Sequence, residues 1–153
     1  MKRIVIGAMI FIGTAMPVVA QQPAKEAYQP GLGEFMMATQ VRHAKLWFAG
    51  KARNWALAAY EVDEIKEGLE DATKIHPIHD GIPVADMIKM ILDPKIEQVE
   101  KAIAAKNSNQ FTAAFDALTE GCNSCHTQAG KPFIRIQRPA APPLSNQDFA
   151  PAK

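Results

Sequence analysis

Apolar residues recur at three- and four-residue steps along four stretches of the chain, and glycine or proline breaks the pattern between them. From Gly33 to Ala49, Met36, Thr39, His43, Leu46 and Trp47 fall on one side of a helix, which predicts a first amphipathic helix that Gly50 is expected to end. Asn54 is placed to cap a second helix reaching about Thr73, with Trp55, Ala58, Ala59, Val62, Ile65, Leu69 and Ala72 as its apolar stripe. The segment 74–83 holds two prolines and a glycine and reads as a loop. A third helix is predicted from Val84 to about Lys106. Within it, Pro94 either introduces a kink or occupies the first position of a new helix capped by Asp93. A fourth begins after Ser108, a candidate cap, carries Phe111, Ala114, Phe115, Leu118 and Cys122 on one face, and stops at Gly130 and Pro132.

Residues 133–139 alternate apolar and charged side chains, but no second strand-like run exists to pair with them, so they are expected to form an extended strap. The fold class expected is all-α: an antiparallel four-helix bundle spanning 32–138. Residues 139–153, rich in proline and alanine, are expected to be a disordered tail, and residues 21–31 a leader without a core of its own.

The N-terminus adds a location. Lys2 and Arg3, the apolar run Ile4–Ala15 and the small-residue ending Val18-Val19-Ala20 have the layout of a secretory signal peptide cleaved after Ala20. The apolar run is short for a membrane span. Loss of Lys2 and Arg3 takes the formal charge from +1 to −1, and the remaining basic residues are spread along the chain. A near-neutral periplasmic protein is expected, with neither nucleic acid nor, after cleavage, a membrane as partner.

The only two cysteines stand at Cys122 and Cys125, and His126 follows directly, giving C-x-x-C-H, the attachment sequence for c-type haem. On a helix the two cysteines share a face, so both thiols can bond the vinyl groups of one porphyrin, and His126, one turn from Cys122, can reach the iron. A thioredoxin-like pair belongs at a helix start in a βαβ unit, which this chain lacks, and a zinc site needs further ligands. One covalent haem c is the cofactor expected. No Met, His or Cys follows His126, so a sixth ligand has to come from an earlier helix.

A C-x-x-C-H on the last of four helices behind a signal peptide resembles the cytochrome c′ family and its Met-ligated low-spin relatives, over about Leu32 to Gly130. The resemblance implies haem attached on the last helix, His126 as the proximal axial ligand, a distal residue early in the first helix, and frequent homodimers through the first two helices. One departure is visible: the family continues the helix with an aromatic and a basic residue three and four places after the histidine, where this chain has Ala129 and Gly130.

For the distal position the resemblance points to Met36 or Met37. Met36 shares the face of His43, Leu46 and Trp47, and Met37 lies about 100 degrees away on the same helix. His43 is the alternative axial ligand, and each of the three also reads as a core or bundle-edge residue. His76 and His79 in the loop read as solvated. Met87 and Met90 read as core filler in preference to a copper site. The acidic run Glu61, Asp63, Glu64, Glu67, Glu70 and Asp71 reads as a solvated face, or as a docking patch for a cationic partner. Lys131, Arg135 and Arg138 could meet haem propionates. The function expected is a non-enzymatic electron carrier exchanging electrons with redox protein partners. The alternatives are a five-coordinate binder of diatomic gases and, third, a haem-free bundle handling metal through Met and His.

Overall fold

The computed structural model describes residues 28–152. The expected export signal, 1–20, and most of the leader lie outside the described residues. Five α-helices and one π-helical segment follow in order: α1 (Leu32–Lys51), α2 (Trp55–Ile75), α3 (Val84–Met87), the π segment (Ile88–Leu92), α4 (Asp93–Ala104) and α5 (Ser108–Gln128). The α3, π and α4 pieces join without a break in helical backbone, so they make one rod and the described residues form four. Among the described residues there is no strand, and no helix is long and apolar enough to cross a membrane.

The rods pack in a closed cycle: α1 on α2, α2 on α4, α4 on α5, and α5 back on α1. Leu46, Val62, Ile65, Val99, Phe115 and Leu118 meet along the axis and are almost wholly removed from water. At the end of the bundle where α1 turns into α2, Trp47 stacks near Phe111 and Phe115, and Trp55 meets the edge of Phe111, so aromatic rings close that end.

Three boundaries differ from the sequence reading. Gly50 does not end α1: it lies buried inside the helix, and an added Cβ there would sit 2.1 Å from the Phe111 ring. Its smallness admits the ring, and the helix runs on to Lys51. Asn107, not Ser108, caps α5, its Oδ1 accepting from the backbone N–H groups of Asn109 and Gln110, both at 3.1 Å. Pro94 sits in the first turn of α4 behind the π segment, where the Asp93 N–H reaches the carbonyl of Ile88, five residues back. A proline ring clashes with the carbonyl four residues before it, and the wider π turn makes the room for that ring while keeping the rod continuous.

The caps at the other ends follow the sequence. Asn54 accepts from the Leu57 N–H at 3.2 Å. Beyond α5, Gly130 takes a left-handed backbone (φ +72°), its N–H bonds the Thr127 carbonyl at 3.0 Å, and the Lys131 N–H bonds the His126 carbonyl at 2.8 Å. This paired closure, centred on Gly130 four residues after His126, ends the helix at Gln128 and turns the chain back along α5. The final segment has no helix or strand, but it is tied down: Phe149 packs on Phe48 and Asn54 donates to the Ala150 carbonyl.

Candidate functional site

A cavity of about 430 Å³ opens between the C-terminal half of α5, the first half of α1, and α3 with its π extension. Its walls are overwhelmingly apolar, and its volume is within the range of small-molecule and cofactor pockets. Cys122, Cys125 and His126 all line it, as do Met36, Met37 and His43 from α1. The six residues singled out from sequence therefore meet in one place, although 79 or more positions separate the two groups.

The helical register of α5 puts Cys122, Cys125 and His126 on the cavity side. Both thiols are free and partly buried. Burial pushes the Cys122 thiol up to about 12 and raises that of Cys125. Both shifts run opposite to the depressed thiol that activates a catalytic dithiol.

The imidazole of His126 is oriented by the strap. Its Nδ1 lies 3.1 Å from the Ile134 carbonyl oxygen. A carbonyl only accepts, so Nδ1 carries a proton, and in the neutral tautomer that this bond selects Nε2 has the free lone pair that an imidazole needs to bind a metal. The strap is held in turn by α5. Asn123 exchanges two hydrogen bonds with Ile136: the Ile136 N–H donates to Oδ1 at 2.7 Å and Nδ2 donates to the Ile136 carbonyl at 3.0 Å. Further on, Arg138 donates to Asp116, with Nε at 2.6 Å from Oδ1, and its guanidinium lies 4.9 Å over the Trp47 ring. Residues 134, 136 and 138 thus meet 126, 123 and 116 in turn, so the strap runs back along the helix. Arg138 is occupied there, whereas Lys131 lines the cavity.

The three α1 candidates have different surroundings. Met36 is packed against the core, but Met37 is 65% exposed. His43 is buried, its ring 4.3 Å from that of Phe115, and its Nε2 lies 2.9 Å from Thr119 Oγ1. The Thr119 hydroxyl already donates to the Phe115 carbonyl at 2.9 Å, so it accepts from His43, whose Nε2 therefore carries the proton. His79 and Met87 also line the cavity, whereas His76 donates from Nε2 to the Pro30 carbonyl at 2.8 Å and Met90 is exposed. No group of three His, Cys, Asp or Glu side chains close enough to hold a metal occurs among the described residues.

Burial lowers the His43 imidazole from 6.5 to about 4. Between those values the unfolded chain binds a proton that the folded chain refuses, so stability falls as the pH drops through this window and is fully present above it. The expected loss attributable to His43 is about 2 kcal/mol between pH 7 and pH 5. Urea unfolding across that range should show it, and His43→Gln should flatten the dependence; an equal slope in the variant would assign the loss to other groups.

Sequence reasoning passed over Asn123, Thr119 and the Ile134 carbonyl. The alternation of residues 133–138 was the visible signal for the strap, but its register on α5 depends on the turn at Gly130. No family model matches the chain, and neither a curated protein nor a solved structure matches it.

Proposed function

We propose that the protein is a periplasmic single-haem c-type cytochrome that carries electrons, a four-helix bundle of antiparallel helices similar to the cytochrome c′ family and its Met-ligated low-spin relatives. One observation carries the reading: two thiols at C-x-x-C-H spacing and an imidazole whose Nδ1 is already spoken for line one apolar cavity of about 430 Å³. The donor set fits the group. Cys122 and Cys125 would hold a porphyrin through thioethers, His126 would bind its iron through Nε2, and Met36, packed in the cavity wall, would supply the second ligand.

Bound haem supplies a one-electron couple. The chain's own residues do the rest. Ile134 fixes the tautomer and orientation of His126. Ile65, Leu69 and Leu118 exclude water from the cavity and lower the local dielectric, which tunes a redox potential. The helices hold His126 and Met36 on rigid elements, so little rearrangement of these side chains would accompany a change of charge at the bound group. Redox proteins are the partners in this reading.

The mature protein should retain one haem in mass spectrometry under denaturing conditions, and Cys122→Ser with Cys125→Ser should abolish that retention. A wild-type chain that releases its haem on denaturation, or carries none, would overturn the assignment.

A further inference from the structure

We propose that Asn123, the first variable residue of the C-x-x-C-H sequence, is a positioning residue that sets the donor strength of His126 by holding the strap's carbonyl on its ring. The inference rests on the electron-carrier reading above and deepens it.

The geometry is a relay of three contacts. Asn123 presents an acceptor and a donor to the N–H and the carbonyl of one residue, Ile136, at 2.7 and 3.0 Å. That is the pairing a neighbouring strand would give, and it fixes an extended segment at a single register. Two residues earlier in the strap, and so on the same side of it, the Ile134 carbonyl meets His126 Nδ1 at 3.1 Å. Between Lys131 and Ile134 the chain makes a turn closed by the Ile134 N–H on the Lys131 carbonyl at 3.0 Å. The carbonyl that orients His126 is therefore fixed on one side by this turn and on the other by Asn123. Aspartate at 123 would lose the donor, and alanine or serine would lose the bridge. The amide is the side-chain chemistry that fits both partners at this reach.

Hydrogen bonding from Nδ1–H to a carbonyl raises the basicity of Nε2, and a more basic axial nitrogen favours the oxidised metal. Loss of a partner of this kind changes metal affinity or activity by 10- to 100-fold in general. With Asn123 removed, the strap is free to leave His126, and the couple should move toward the reduced form.

The test is a redox titration of the holoprotein with three variants. Asn123→Ala is expected to shift the oxidation equilibrium about tenfold toward the reduced state, which for one electron is a rise of 59 mV. Arg138→Ala, which frees the far end of the strap and leaves the Asn123 pair intact, is expected to shift it less than twofold. A second readout separates positioning from general loosening: in nitrogen-15 NMR of the reduced protein, the His126 Nδ1–H should exchange slowly in the wild type and in Arg138→Ala, and rapidly in Asn123→Ala. Should Asn123→Ala mature too poorly to isolate, Ile136→Pro removes the N–H that Asn123 accepts while leaving the attachment sequence untouched, and a shift of at least threefold in the same direction is expected. A wild-type potential with a protected ring proton, in Asn123→Ala or failing that in Ile136→Pro, overturns the proposal. So does an equal effect of Arg138→Ala. Haem present with either of those results leaves the carrier reading standing. Absence of covalent haem from the wild type removes both.

Discussion

Met36→Ala is expected to turn a low-spin absorption spectrum into a high-spin one, to open the iron to carbon monoxide, and to lower the potential by on the order of 100 mV, since axial ligands set haem potentials over about 0.8 V. The expectation follows from the proposed carrier and from what surrounds each candidate. Met36 lines the cavity and is packed against the core, so its thioether is held on a rigid helix and needs no rearrangement to stay there. Met37 borders the same cavity but is mostly in water, and Met37→Ala should leave spectrum and potential nearly unchanged. His43 donates its Nε2–H to Thr119, and using that nitrogen as a ligand would strip the Thr119 oxygen of its donor in a buried place. His43→Ala should therefore destabilise the fold without changing the spin state. Reduced-minus-oxidised spectra with and without carbon monoxide decide the matter. A spin change in His43→Ala would make the iron bis-His. A wild type already high-spin would favour the gas-binding alternative, with an open distal side walled by Leu32, Ile65 and Leu69.

These three side chains mark the limit of what the sequence carries about the site. The α5 half stands out in the sequence because the proposed haem attachment demands fixed spacing: two cysteines on one helical face and a histidine one turn from the first. The half contributed by α1 has no such constraint. Met36, Met37 and His43 all lie within two turns of one helix, and their separation into packed, exposed and hydrogen-bonded comes from how α1 meets α2 and α5. The same division runs through the fold. The four rods announce themselves through apolar residues every three or four positions, and the Asn54 cap and the stop at Gly130 follow from local backbone chemistry. The π segment before Pro94 does not, because a widened turn answers a steric problem that a continuous rod or a break would also answer. Gly50 looks like a terminator in sequence, and only the approach of Phe111 explains why a glycine stands inside a helix there.

Glu61 is the sharpest departure between pattern and packing, and Glu61→Gln is expected to cost about 3 kcal/mol of stability, the lower end of what breaking a buried ion pair costs. In sequence it opens an acidic run on the polar side of α2. In the structure it has no solvent exposure, and its two oxygens meet Lys45 Nζ at 2.6 Å and Arg42 Nη1 at 3.2 Å, both from α1. Arg42 continues to Glu64 at 2.7 Å and lies 5.4 Å over the Tyr60 ring. The carboxylate sits one residue before Val62 and four before Ile65, so the edge of the apolar stripe carries it into the α1–α2 seam. Glutamine keeps the shape and loses the charge, leaving Lys45 and Arg42 to face a neutral amide. Because both cations retain some solvent contact, water can recover part of their hydration, which places the cost below that of a fully enclosed pair. For a domain of this size about 3 kcal/mol corresponds to a fall in Tm of roughly 15 °C. Thermal unfolding followed by circular dichroism at neutral pH measures it directly. Adding Lys45→Met to Glu61→Gln should restore part of the loss, since one stranded cation is then removed, whereas two strictly additive losses would mean that the pair contributes nothing through its mutual attraction.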